Sequence, residues 1–311
     1  MTTRTAGGEA IVFELLDSDD AIAPWLKPAE LLIAEAFPRP AMETTTALLA
    51  WHLTGVTFGS VRPFAVIATT GDRLIGFAGA TPRPLTCAGL YAVGYIVSFV
   101  SVAPSARGRG VAAQLYDQLL RALPDKSRVL TFAIERSDGM TVLEPAYVRN
   151  GFTGQSLGLF PPYAVFRQRI ASGTTVAGPA EEPTVALADD ADVMQHLDAD
   201  PRGAVHVGSC QARAVAAWRL TADQREPLLL VENLRAPIDS DELRATLAGA
   251  FDAFPEHAKW LVAPNFPATA GNAAQAVGLR RLAGPIYRAW IWSRDPTDGF
   301  LLARSTSHPV L

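Results

Sequence analysis

Apolar side chains recur along this chain with two different periods. At Val111, Leu115, Leu119 and Leu123 they return every fourth position, the spacing that turns one face of a helix toward a core. Elsewhere the apolar runs are short, rich in Val, Ile and Phe, and bounded by turn residues, which predicts strands. Residues 10–16 read as a first strand, followed by helical segments that start from caps among Asp17–Asp20 and run through Ala36. Pro38 and Pro40 break them, and a second helix is predicted over 42–53. Residues 64–69 and 74–81, joined by Thr70-Gly71-Asp72, form a predicted hairpin.

The most apolar run, 90–102, contains Ser98 and Ser101. It is too short to span a bilayer and suits a buried strand. Beyond the helix at 111–123 come a strand at 128–134, a short helix at 140–150 and further strands within 157–169. Pro145 implies a kink or a late start in that short helix. Hairpins that precede a single strand–loop–helix–strand unit predict an α/β (α+β) fold, with a mixed, mostly antiparallel sheet flanked by helices.

Residues 171–184 (ASGTTVAGPAEEPT) hold little that can be buried and read as a linker. The order of elements then repeats, with strands at 205–220 and 227–234, a helix at 240–254, a strand at 260–263, a short helix at 270–277 and a last strand at 285–292. Two domains in tandem are expected, 1–170 and 185–311. Trp290 and Trp292 alternate as one face of a strand does, so packing accounts for them.

Composition narrows the function more than the fold. The 311 residues are 49% hydrophobic and 19% charged, enough for a core in each half. A net charge of −4 leaves no basic excess to draw nucleic acid or anionic lipid. Cys87 and Cys210 are isolated, which fits a reducing compartment, and the N-terminal stretch has no apolar core for a signal peptide. A soluble, cytoplasmic protein is expected. His52, His196, His206, His257 and His308 show no metal-ligand spacing, so no metal is expected, and there is no GxSxG elbow.

The chemistry concentrates in Val100-Ser-Val-Ala-Pro-Ser-Ala-Arg-Gly-Arg-Gly-Val-Ala112. A strand feeds a Gly- and Arg-rich loop that opens a helix. Such a loop presents unpaired N–H groups at the positive end of the helix dipole. Its glycines let backbone approach a phosphate, and Arg107 and Arg109 can add charge-assisted contacts. Gly108-x-Gly110-x-x-Ala113 also fits a degenerate dinucleotide fingerprint, with Glu135 about 20–25 positions on. Against that reading, Pro104–Arg107 separate the glycines from the strand and no alternating series follows.

Val102-x-Pro104-x-x-Arg107-x-x-Gly110-x-Ala112 resembles the pyrophosphate loop of the GNAT superfamily of N-acetyltransferases. Ala146-Tyr-Val-Arg-Asn-Gly-Phe152 resembles its later helix and exit, so the resemblance spans about residues 10–170. It implies that backbone of Arg107, Gly108, Arg109, Gly110, Val111, Ala112 and Ala113 cradles the CoA pyrophosphate. Main-chain groups of Val100, Ser101 and Val102 would pair with the pantetheine arm, and Tyr147 would protonate the departing thiolate. Glu135 stands where one branch of the superfamily carries a catalytic Glu, although Met140 replaces that branch's Asn. The co-substrate implied is acetyl-CoA, and the acceptor is a small-molecule amine or a peptide N-terminus. A homodimer is left open.

In the second half, Ile238-Asp-Ser-Asp241 replaces the glycine loop, and Ala274 stands where a Tyr would be. This half reads as a degenerate GNAT-like domain with a structural or substrate-shaping role. Two further readings stand beside the transferase: an acyl-CoA-binding or sensing protein without efficient turnover, and a dinucleotide-dependent oxidoreductase.

Overall fold

The computed structural model describes the chain except residues 1, 4–9, 38–42, 135–137, 178–183, 189–190, 209–211, 221–224, 235–237, 257–258, 264–265, 267–269, 284–285, 303–304 and 307–311. In chain order, β1 (Thr2–Thr3), β2 (Ile11–Leu16), α1 (Asp19–Ile22), α2 (Leu26–Ala36) and α3 (Thr46–Leu53) lead into β3 (Phe64–Thr70), β4 (Arg73–Cys87) and β5 (Leu90–Val102). Then follow α4 (Val111–Ala122), β6 (Arg128–Ile134), α5 (Asp138–Arg149), β7 (Thr153–Phe160) and β8 (Tyr163–Phe166). The second half holds β9 (Thr184–Leu187), α6 (Ala191–Asp198), β10 (Val205–His206), β11 (Arg213–Leu220), β12 (Arg225–Glu232) and α7 (Ser240–Ala253). It ends with β13 (Trp260–Ala263), α8 (Gly271–Ala276), β14 (Arg280–Arg281), β15 (Tyr287–Ser293) and β16 (Ser305–Thr306).

Two mostly antiparallel sheets carry these elements, as the hairpin-first order predicted. Val111, Leu115, Leu119 and Leu123 are all buried in the core of the first sheet, so the four-residue period of α4 is its packing face. Pro145 sits inside α5 without ending it. The strand predicted over 205–220 is two strands, and α6, β9 and β14 went unpredicted because such short elements carry little periodicity.

The linker does not divide the sheets. The first runs β1-β2-β3-β4-β5-β6-β15-β7 and the second β10-β11-β12-β13-β8-β14. β15, near the end of the chain, lies between β6 and β7 and pairs antiparallel with both over its full length. In return β8, which precedes the linker, pairs with β13 and β14. A division into 1–170 and 185–311 therefore cuts both sheets. Pro161 and Pro162, which join β7 to β8, supply one physical reason. Two successive residues without N–H groups and with fixed φ cannot close a tight hairpin back onto β7, so the chain passes into the other sheet.

β9 and α6 also side with the first sheet. β9 pairs with Leu85 and Thr86 of β4, and Val193 and Leu197 of α6 pack with Leu48, Trp51 and Leu85. Pro82 and Pro84 of β4 lie beyond Ala80, where pairing with β3 ends. Missing N–H groups cost no ladder bonds to β3 there.

Candidate functional site

β5 and β6 run parallel, but they pair only over Gly94–Ile96 and Arg128–Leu130. Beyond Ile96 and Leu130, among the described residues, each strand pairs only with its outer neighbour, β4 for β5 and β15 for β6. A bulge accompanies this parting. Between Phe77 and Gly79 of β4 the partners step from Ser101 to Ser98, leaving an extra residue on β5, and Phe99 there has φ 59°. A bulge bends its strand and re-aims the residues around it. Val100 and Val102 are partly exposed and Ser101 is buried. The edge of β5 that β6 leaves is thus open to an extended ligand.

That edge leads into the loop. A short 3₁₀ turn at Pro104–Ala106 is followed by Gly108 at φ 74° and Gly110 at φ 78°. Both lie in the left-handed region, where a side chain is costly, although each has open space around it. Gly110 is the N-cap of α4 and no side chain caps that end. The N–H groups of Val111, Ala112 and Ala113 fall in the first turn, where the helix itself provides no acceptors. Arg107 does not simply reach into solvent. It donates from Nη2 to the Ala36 carbonyl oxygen at 2.8 Å, tying the loop to the C-terminal end of α2, while Arg109 is exposed.

The second half has the same strand-to-helix step with the opposite chemistry. Asp239 caps α7, and its Oδ1 accepts from the N–H groups of Asp241 and Glu242 at 2.9 and 2.8 Å. The chain's own carboxylate fills the place that stays open at α4. Ala274 is buried in the second core.

Tyr147 lies in the first core, not at an open surface. It is fully buried, with Trp292 of β15 stacked on it at 4.4 Å and Phe152 edge-on at 5.6 Å. Trp292 donates from Nε1 to Thr131 Oγ1 at 2.6 Å, and the Tyr147 hydroxyl has no partner at good hydrogen-bond geometry, although Thr131 lies close enough to act on it. Burial, and then the neighbouring Tyr116, hold its pKa well above the ordinary tyrosine value. Glu135 lies outside the described residues. Among the described residues no group of three or more His, Cys, Asp or Glu is placed to hold a metal, and no helix is long and apolar enough to cross a membrane.

A second polar constellation was invisible in the sequence. Arg202 and Arg213 share Asp200 and Glu232, with Arg213 Nη2 at 2.6 Å from Asp200 Oδ2 and Arg202 Nη1 at 3.0 Å from Glu232 Oε1. The indole of Trp51 sits against this network, with the His196 ring stacked at 4.6 Å and the Arg213 guanidinium 5.5 Å from its centroid. Arg83 Nη2 and His52 Nδ1 meet at 3.2 Å on the other side. His52 and His196, two of the five histidines without metal-ligand spacing, thus meet at Trp51, brought together by α3 and α6. The one local sign was Arg83 between two prolines in an apolar run.

Burial and the arginines hold His52 well below the usual imidazole value, and His196 down to about 3. Both are neutral in the folded chain, whereas the unfolded chain takes up protons near 6.5. Below that pH the unfolded state binds more protons, so stability is complete above about 6.5 and falls as pH drops toward about 3. Melting temperature followed across that window is expected to decline, and a His52→Gln, His196→Gln double variant should show a flatter decline. An unchanged slope would count against this account.

Residues 21–152 match the model of the Acetyltransferase (GNAT) family. No curated protein matches the chain in sequence. Among solved structures, a putative acetyltransferase from Pyrococcus horikoshii is similar over 96% of this chain and 94% of that one, with a TM-score of 0.52 at 12% identity. The Saccharomyces cerevisiae N-myristoyltransferase with bound myristoyl-CoA is similar over 90% of this chain and 82% of its own, with a TM-score of 0.57 at 8% identity. At such identities the likeness bears on fold alone.

Proposed function

With a domain of the acetyltransferase (GNAT) family over residues 21–152 as the premise, we propose that this chain moves an acetyl or short acyl group from CoA to a primary amine. The observation that carries the reading is the uncapped start of α4 at Gly110, continuous with the edge of β5 that β6 leaves unpaired. Backbone of Arg107 to Ala113 would hold the pyrophosphate, and main-chain groups of Val100, Ser101 and Val102 the pantetheine arm. CoA supplies an activated thioester. The chain's part is to orient it, to offer N–H groups to the developing oxyanion and to hold the amine within reach. Glu135 or solvent would take the amine's proton.

Tyr147 keeps its proton at neutral pH, the form a general acid needs, but its hydroxyl is fully buried. Tyr147→Phe is expected to leave CoA affinity unchanged and the melting temperature nearly so, because the hydroxyl loses at most a weak contact with Thr131. Turnover should fall by about a hundredfold or more. If single-turnover rates do not move, Tyr147 is a core residue and the acid lies elsewhere.

The sealed hydroxyl also gives the sensing alternative a specific footing, since a chain that binds acyl-CoA without turnover needs no exposed acid. The test that separates the readings is calorimetric titration of acetyl-CoA and NAD, followed by thiol-release assays with amines. Acetyl-CoA binding with thiol release supports the transferase. Binding without release against a broad amine panel favours the sensor, and NAD binding alone would sink both.

A further inference from the structure

Among the described residues, the cluster around Trp51 is short of one negative charge. Its guanidinium groups are Arg83, Arg202 and Arg213, and its carboxylates are Asp200 and Glu232, both engaged by Arg202 and Arg213. Arg83, 1% exposed, has the Pro82 carbonyl oxygen at 2.9 Å and His52 Nδ1 at 3.2 Å, and among the described residues no carboxylate. A guanidinium only donates. His52 Nδ1 is therefore the acceptor, and the ring proton resides on Nε2. That Nε2, Arg83 Nε and the Thr81 hydroxyl, two residues along the same face of β4, are all buried without partners. Burial lowers Arg83 to about 9, which still leaves it a cation at neutral pH. A buried cation with spare donors and no counterion is costly to keep unless something negative comes to it.

Its position says what that could be. The His52 ring meets Phe99 edge-on at 5.2 Å, and Phe99 is the partly exposed residue at the bulge of β5, directly before Val100. The orphan donors thus lie one aromatic ring from the strand edge assigned to the acyl arm. We propose that Arg83, His52 and Thr81 form a carboxylate-receiving subsite for the acceptor, so that the amine acylated belongs to an amino acid or another amino-carboxylate. This rests on the acyltransferase reading above. The unpartnered Nε–H of Arg83 is the charged donor a carboxylate would meet in this low-dielectric setting.

Calorimetric titration of N-acetylglycine and N-acetylglycinamide into the full chain, with and without CoA, reads this subsite without turnover. The acid is expected to bind the wild-type chain about tenfold or more tightly than the amide. Arg83→Gln should bring the two together, and Arg83→Lys should keep part of the preference because it keeps the charge but not the planar fork. Equal affinities in the wild-type chain, or a preference that survives Arg83→Gln, overturn the proposal. Because Arg83 has no counterion to abandon, Arg83→Gln should also hold or raise the melting temperature. A clear fall, with binding unaltered, would make Arg83 a structural cation and overturn it too. CoA titrated in parallel reports on the loop separately: absence of CoA binding defeats the transferase reading, while the N-acetylglycine comparison still decides the subsite.

Discussion

A fragment ending at residue 170 is expected to give no cooperative unfolding transition, although it contains every motif that resembles an acetyltransferase. Without β15, β6 and β7 lose the strand that pairs with both, at Ala133↔Arg288 and Leu159↔Arg288 among others. The core loses Trp292, Ile291 and Ala289, all buried. Removing a buried Trp or Ile each costs roughly 2–5 kcal/mol. Two such losses, before any hydrogen bond is counted, approach the whole stability of a domain, about 5–15 kcal/mol. β8 would meanwhile have no partner, because β13 and β14 are gone. The check is near-UV circular dichroism and thermal melting of the fragment beside the full chain. A fragment that melts as sharply as the full chain would show that the exchanged strands are dispensable.

The second large effect is on binding. Gly110→Asp should weaken CoA about a hundredfold or more, since like-charge contact costs several kcal/mol and each 1.4 kcal/mol is a factor of ten. The fold should survive, because a β-carbon at 110 meets open space and the left-handed conformation costs a non-glycine residue only about 1–2 kcal/mol. What changes is the start of α4. A carboxylate there sets a negative charge beside the first-turn N–H groups and so repels the phosphate proposed to lie there. Calorimetry with CoA and a parallel melt separate the two effects. Undiminished affinity in a folded Gly110→Asp chain would remove the loop from the proposed function.

Much of the site's framework was legible because it is local. The loop between 103 and 110 is written in glycines whose positive φ few other residues accept, and α4 in a four-residue period that survives unchanged in the packed core. The bulge at Phe99 had no such signature. It arises from how β5 pairs with β4, and a phenylalanine with φ 59° gives no warning in sequence. Tyr147 lies on a helix, as its sequence context implied, but its enclosure depends on Trp292, a residue 145 positions later that reads as an ordinary strand aromatic. The Arg83 cluster was equally hidden, since it joins α3 and β4 to α6, β11 and β12.

By itself, then, the sequence determined most of the strands and helices, α6, β9 and β14 excepted, and the contrast between a glycine-rich start to α4 and an aspartate-rich start to α7. Those properties follow from backbone φ preference, side-chain period and local charge, all of which act over a few residues. Only the tertiary structure decided which strand completes which sheet, whether the tyrosine hydroxyl is open or sealed, and where an arginine is left without a counterion. The physical reason is that strand pairing uses the same backbone groups at every position. Tyr287–Ser293 could satisfy β7 or β13 equally well in its hydrogen bonds, and the choice falls to the packing of Trp292 and Ile291 and to two prolines that keep β8 from turning back.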